Sequence, residues 1–212
     1  LLNSACCIHT TSESEKLFVH KLLPKSKIKV VALGTIIIKK EFVSKCDSKN
    51  AIFLSRIHKK KGLDILIDAW ANSSHDNWKM IIVGPEEDSY YNIVKQRIKV
   101  HGLEDDIQLV GELYGHDKQK ALFNSSLFIL PSYSEGCPNS ILEALASGLF
   151  IVSTPVGALN DIINSGLELR ATTWGVTPHA QKTGTSSSIS FTGSPKSGLQ
   201  IFLIPISDGS PT

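Results

Sequence analysis

The chain has 212 residues, 42% of them hydrophobic and 20% charged, with a net charge of +2. These values fit one full domain, or one domain with pieces of another. They exclude a disordered chain and give no strong field toward nucleic acid or an anionic membrane. Cys6, Cys7, Cys46 and Cys137 form no CxxC pair, which speaks against a disulfide scaffold or a thiolate metal site and for small, reduced, buried residues. No apolar run reaches the roughly 18 residues of a spanning helix. The start, Leu1 to Cys7, carries no signal-peptide pattern, and the lack of an initiator Met suggests a fragment.

In chain order, residues 12–22 read as a helix opened by a capping box of Ser12 and Glu15. Lys27 to Leu33 reads as a strand, and residues 34–50 as a connection. Ala51 to Ser55 is a short, continuously apolar run, the signature of a strand buried on both faces. Leu63, Leu66, Ile67 and Trp70 follow Gly62 at helical spacing. Trp78 to Val83 predicts a second strand, stopped by Gly84-Pro85. Tyr91, Val94 and Ile98 mark a helix ending near Gly102. Ile107 to Val110 predicts a third strand, residues 116–124 a helix and Leu127 to Leu130 a fourth strand. Residues 139–147 predict a helix, Phe150 to Ser153 a fifth strand and residues 158–164 a last helical turn or two. Strand and helix alternating every 25 residues or so imply parallel strands with right-handed crossovers. The predicted fold is α/β, a doubly wound, Rossmann-like parallel sheet.

The tail differs in composition. Of the 43 residues from Arg170 to Thr212, 24 are Ser, Thr, Gly or Pro and four are charged. Such a stretch cannot offset its ordering entropy by burial, so most of it is expected to be poorly ordered, with Gln200 to Ile206 an isolated apolar run.

Ligands of open α/β sheets bind outside the carboxyl ends of the strands. That ranks five loops: residues 55–62, 84–85, 111–115, 131–139 and 154–157. Arg56 offers a planar fork that matches a phosphate, and Lys61 stands five residues later beside Gly62. Residues 135–139 lead into a helix whose free amides suit an anion. Glu135 and Glu143 have seven residues between them, the first before the helix and the second a turn inside it. The second carboxylate is placed to accept both hydroxyls of a ribose. The plain alternatives stay open at this point: a solvated basic loop, a surface ion pair for Arg56, and acids favoured in a first turn by the helix dipole.

The run from Pro131 to Gly148 (PSYSEGCPNSILEALASG) closely resembles the Glu-x7-Glu signature of retaining, GT-B-fold glycosyltransferases of family four. Ser55-Arg56 with Lys61-Gly62, Val83-Gly84-Pro85, Val110-Gly111 and Thr154-Pro155-Val156-Gly157 are similar to family segments in the same order, and residues 9–13 resemble the stretch that closes the family's N-terminal domain. The resemblance covers residues 8–166. It implies three parts: residues 1–34 as the end of an N-terminal domain and its linker, residues 35–166 as the nucleotide-sugar-binding domain, and residues 167–212 as an aberrant tail. It also implies a hexosyltransferase-type enzyme that moves a sugar, with retention, from a UDP-, GDP- or ADP-sugar to a glycan or lipid-linked acceptor in polysaccharide biosynthesis. Arg56 and Lys61 would hold and stabilise the departing diphosphate, and Glu135 would touch the donor sugar, making these three the catalytic set. Gly136, Cys137, Asn139 and Ser140 would hold phosphates and sugar, Glu143 the ribose, and backbone near Leu113 the nucleobase. No metal and no cofactor are implied, no nucleic acid is bound, and the setting is cytoplasmic, at the inner face of the membrane where the full-length protein touches it.

Three departures qualify the resemblance. The acceptor-binding domain is almost wholly missing, and none of the seven histidines matches a family catalytic histidine; His58 reads as an exposed loop residue. Ala32-Leu33-Gly34 replaces the family's Pro-Asn-Gly. Past Gly166-Leu167 the sequence resembles translation of a shifted frame. A truncated chain with little transfer activity follows, with an inactive nucleotide-sugar-binding remnant as the alternative reading. A GT-B epimerase is opposed by the Arg56, Lys61 and glutamate set. A dinucleotide oxidoreductase and a P-loop nucleotidase are opposed by the lack of G-x-G-x-x-G and G-x-x-x-x-G-K-[ST]. A structural α/β module is the bland alternative.

Overall fold

A computed structural model describes residues 5–35, 48–75, 77–86, 89–159 and the backbone of 201–203. Two parallel sheets are formed. The smaller pairs β1 (Ile8–Thr10) with β2 (Ile28–Val30), joined by α1 (Glu13–Leu22). The larger contains β3 (Asn50–Leu54), β4 (Lys79–Val83), β5 (Ile107–Gly111), β6 (Leu127–Leu130), β7 (Phe150–Ser153) and β8 (Ile201–Leu203), in the order β5-β4-β3-β6-β7-β8. Helices α2 (Leu63–Ala71), α3 (Ser89–Val100), α4 (Gly115–Phe123) and α5 (Asn139–Ala146) connect them. The doubly wound parallel sheet expected from the alternation is the observed one.

Central strands form because their residues tolerate burial on both faces. Every residue of β6 is buried, as are the last four of β3. Phe53 and Phe128 are fully enclosed, each worth roughly 1.5–3 kcal/mol of transfer free energy. On α2 the four buried residues are Leu63, Leu66, Ile67 and Trp70, the stripe anticipated from spacing. On α3 they are Tyr90, Val94 and Ile98; Tyr90, not Tyr91, opens the buried stripe, because helix α3 begins at Ser89.

Connection order sets the faces. From β3 through β4 to β5 the chain moves to one edge of the sheet, so right-handed crossovers put α2 and α3 on one face, where they pack together. From β5 to β6 and on to β7 it moves the other way, which sends α4 and α5 to the opposite face. The reversal leaves β3 and β6 side by side, and the loops after these two strands flank the crevice at the sheet's carboxyl edge.

Several expectations are corrected. Ser12 caps α1 through the Glu15 amide, but Glu15 reaches back to Thr11 N (2.6 Å) and Thr11 Oγ1 (2.7 Å) rather than to the Ser12 amide. The three-residue strand β1 was too short to signal itself. Cys6 and Cys7 are exposed and Cys137 is half-buried, so these thiols are free but not enclosed; Cys46 lies outside the described residues. Ile201–Leu203 is not isolated, since its backbone pairs parallel with β7. Most of the predicted linker, the turn beyond Leu159 and the remainder of the tail lie outside the described residues.

An ion-pair cluster joins α2 to α3. Arg97 donates through Nε (2.7 Å) and Nη2 to the Asp68 carboxylate, which also contacts His101 Nε2 at 3.1 Å. The Arg97 hydrogen bonds hold the Asp68 carboxyl below its ordinary pKa. A carboxyl with a folded pKa below its unfolded one contributes fully above about pH 4, and the contribution disappears as pH falls through the folded value. Asp68 is 40% exposed, so solvent screening limits the pair to under about 1 kcal/mol. Asp68→Asn should therefore lower the urea midpoint slightly at pH 7, and the gap to wild type should close as denaturation is repeated below pH 4.

Candidate functional site

Beyond β3 the chain makes a 3-10 turn, Lys59–Lys61, whose first amides are capped by His58: Nδ1 accepts from Lys60 N at 3.1 Å. Gly62 ends the turn at φ 70°. A side chain there would drive its Cβ into the carbonyl of Pro131, at the end of β6. Tyr133 N donates to Lys60 O at 2.9 Å across the same gap. Gly84, after β4, similarly abuts the Ser55 carbonyl, and Gly157, at φ 60°, abuts Glu135 O. Ala158 N donates to Gly136 O at 2.8 Å. Backbone contacts of this kind leave no space for Cβ, and they pull the rim loops into register.

The register puts Lys61 against Glu135. Nζ lies 2.7 Å from Oε1 and 2.8 Å from Oε2, with the lysine side chain 15% and the glutamate 6% exposed. Ser132 Oγ also donates to Glu135 Oε1, at 2.6 Å. A nearly buried carboxylate is tolerable only with such partners. Ser132 is anchored in turn by Thr154 Oγ1, which donates to its carbonyl. Tyr133 O–H donates to Asp64 Oδ2 at 3.0 Å and ties the loop to α2. Partial burial, then the bond to Asp64, pushes the Tyr133 phenol up to about 12, so it stays a neutral donor throughout the physiological range.

Lys61 and Glu135 share a cleft of about 370 Å³ with Ser55, Gly84, Leu113, Cys137, Asn139, Ser140 and Glu143. Helix α5 starts there with Pro138 as its N-cap and no side-chain cap. The amides of Asn139 and Ser140 precede the first intrahelical bond, Ile141 N to Pro138 O at 3.1 Å, so they remain available to an anion. Burial, then the charges of Glu15 and Glu135, raises the Cys137 thiol above its ordinary pKa, which keeps it a neutral lining group. On the opposite side Glu143 Oε1 accepts from Lys118 Nζ at 2.9 Å. The β4–β5 ladder shifts register at Val83, which pairs with Gly111 at φ 73°; the bulge turns Glu112 and Leu113 to the cleft wall.

The sequence-derived residues are thus largely brought together. Lys61, Leu113, Glu135, Cys137, Asn139, Ser140 and Glu143 line one cleft, and Gly136 sits in its loop. Arg56 does not join them: its side chain is exposed and makes no ion pair with a described residue. Lys118, Ser132 and the His58 cap were missed. Lys118 looked like one charge on an amphipathic helix, and its partner 25 residues away left no local pattern. A second cavity, about 280 Å³, lies between α2 and strands β6 and β7, lined by residues such as Ile65, Ala69, Leu127 and Ile129; of the rim loops it touches Pro131 alone. Among the described residues no group of three or more His, Cys, Asp or Glu could hold a metal ion, and no helix is long and apolar enough to cross a membrane.

Comparison with known proteins places these features in context. Residues 35–183 match the family described as glycosyl transferases group 1, running past the Gly166 limit of the motif resemblance. An uncharacterized glycosyltransferase of Haemophilus influenzae is 27% identical over 148 residues, covering 69% of this chain and 41% of that protein. A lipopolysaccharide core biosynthesis mannosyltransferase of Rhizobium meliloti is 31% identical over 119 residues, 53% of this chain and 33% of the relative. The chain therefore spans well under half the length of these relatives. Among solved structures, Anabaena HepE in complex with UDP-glucose superposes with a TM-score of 0.64 at 23% identity, over 78% of this chain and 50% of that one. The parallel α/β sheet is the GT-B architecture of these neighbours.

The Lys61–Glu135 geometry sets an order of stabilities. Lys61→Met strands a carboxylate that is 6% exposed and should cost about 3 kcal/mol. Glu135→Gln leaves the better-solvated ammonium and should cost less. The double variant should fall short of the sum, as coupled partners do, in equilibrium urea unfolding of all four proteins. Gly157→Ala should cost about 2 kcal/mol or more in the same measurement, from overpacking against Glu135 O.

Proposed function

The chain belongs to the group 1 glycosyl transferases, and from that premise we propose that its cleft binds the nucleoside diphosphate of an activated sugar and serves a retaining transfer to a glycan or lipid-linked acceptor. The observation that carries the reading is the junction of a fixed ammonium, Lys61, with an uncapped helix start at Asn139 and Ser140 in one cleft. Breaking a sugar–phosphate bond sends negative charge to the diphosphate, and preoriented donors at that position are the strongest available lever. Lys61 has three N–H donors. Two point at Glu135, which leaves the third for a phosphate oxygen without releasing the carboxylate. Arg56, exposed on the same loop, would reach over the diphosphate and complete the set. Glu135 would face the sugar, where its charge offsets the developing oxocarbenium ion. Glu143 would accept the ribose hydroxyls, and the backbone at Leu113 would meet the base.

Transfer with retention fits same-face attack, the departing diphosphate receiving the acceptor proton. In this reading the larger sheet and its helices form the donor side. The acceptor is a saccharide in this reading, supported by the lipopolysaccharide role in the Rhizobium relative's name, and the setting is polysaccharide assembly at the inner face of a membrane.

Titration calorimetry with UDP, GDP and ADP and their hexose conjugates should show binding of at least one series by wild type. Arg56→Ala should weaken it about tenfold or more while leaving the unliganded melting temperature unchanged, because Arg56 supports no described contact. In the full-length enzyme, loss of one such donor should lower transfer by about 10²–10³-fold. If none of the nucleotides binds, the donor-site reading fails; if they bind to a full-length enzyme that transfers no sugar, the binding-only remnant replaces it.

A further inference from the structure

We propose that Lys118 is a specificity-determining residue of the cleft, one that reads the ribose of the donor together with Glu143; the inference rests on the donor-site reading above. Lys118 lies in α4, three residues after Gly115, and α4 is delivered to the α5 face by the long return crossover from β5 to β6. Its ammonium sits 2.9 Å from Glu143 Oε1, and both side chains line the cleft. The lysine is 32% and the glutamate 28% exposed, so neither is buried away from a ligand.

The pair is incomplete by hydrogen-bond count. An ammonium has three donors and a carboxylate about four acceptor positions, yet among the described residues one N–H···O contact joins them. Glu143 Oε2 has no described partner. The open positions are complementary to a vicinal diol. One hydroxyl donates to Oε2 and the other to Oε1, while Nζ donates to whichever sugar oxygen lies closest. An isolated carboxylate accepts from a diol but gives nothing back to its oxygens, and Lys118 supplies that return donor.

Charge gives Lys118 a second role, separate from reading the ribose. The lining holds three carboxylates, Glu112, Glu135 and Glu143, against two ammoniums, Lys61 and Lys118. The charge of Lys61 is balanced by Glu135, although one N–H stays free. Without Lys118 the end of the cleft near Glu143 and Glu112 would be wholly acidic and would repel a diphosphate held at the α5 start. As an ion pair alone the contact is half-exposed and adds little to stability, so a purely structural tie between α4 and α5 explains its presence poorly.

The test compares nucleoside diphosphates with their 2′-deoxy and 3′-deoxy counterparts by calorimetry on wild type, Lys118→Met, Lys118→Gln and Lys118→Arg, each checked for folding by its melting temperature. Wild type should prefer the ribo form by about tenfold. Lys118→Met should reduce that ratio to about twofold, Lys118→Gln should fall between, and Lys118→Arg should restore most of it. The diagnostic quantity is the ratio, because loss of charge alone weakens ribo and deoxy forms together. Equal weakening of both, or none, in Met and Gln variants overturns the role of Lys118 and leaves the donor site standing. Failure of wild type to bind any of the nucleotides overturns the donor reading itself, and this inference with it.

Discussion

At the centre of the larger sheet the strand order reverses, and the loops leaving β3 and β6 are forced into van der Waals contact. Gly62 touches the Pro131 carbonyl, and Tyr133 N bonds Lys60 O. Parallel sheets place strand ends at one edge, and a reversal of winding opens a crevice there. In this chain the crevice is narrowed until backbone meets backbone, which is why Lys61, 74 residues away in sequence, arrives within 2.8 Å of both oxygens of Glu135. The two other glycine contacts, Gly84 on Ser55 and Gly157 on Glu135, extend the same constraint to the loops on either side.

Electrostatics within the cleft follow from that packing. A carboxylate as enclosed as Glu135 is tolerable only with a cation and further donors, and it has Lys61 and Ser132. Pairing Glu135 in this way lets an acid stand beside an uncapped helix start. Glu143 is half-exposed and can be met by Lys118 without the same desolvation cost. The two ion pairs therefore differ in kind: one is required by burial, the other is available to be modified by a ligand.

Much of the fold was legible because its signals are local. The run around Ala51–Leu54 and the stripe Leu63, Leu66, Ile67, Trp70 announce strand and helix by period alone, and Gly84 and Gly102 mark the ends of β4 and α3. The cleft was half legible. The segment 131–148 and the Arg56 to Lys61 loop stand out as residue types at fixed spacing, and Lys61, Glu135 and Glu143 do converge. What spacing could not give was pairing across the fold. Lys118 is silent until the return crossover lays α4 beside α5, and Ser132 reads as loop filler until its hydroxyl is seen on Glu135. Glu15 shows the limit at short range: the capping-box pattern was present, but backbone geometry ahead of Ser12 gave Thr11 the better donor. Ile201–Leu203 shows it at long range, since the edge of β7 accepts a parallel strand whatever composition surrounds it.

Helix α5 carries the last step. A helix of eight residues has little intrinsic stability in water, and a side-chain cap would add about 1 kcal/mol. Pro138 stands at the N-cap and contributes none. Proline also lacks an N–H, so the first donors offered to the cleft are those of Asn139 and Ser140. The helix is instead held by Ile141 and Ala144, both fully buried against the sheet. Packing on one side thus substitutes for capping at the end, and the end is left open to an anion. The same exchange recurs around the rim: Lys61 keeps a spare donor while Glu135 is satisfied, and Glu143 keeps a spare oxygen while Lys118 attends the other. The core and the glycine contacts secure the loops, so their polar ends can remain unsaturated without loosening the fold.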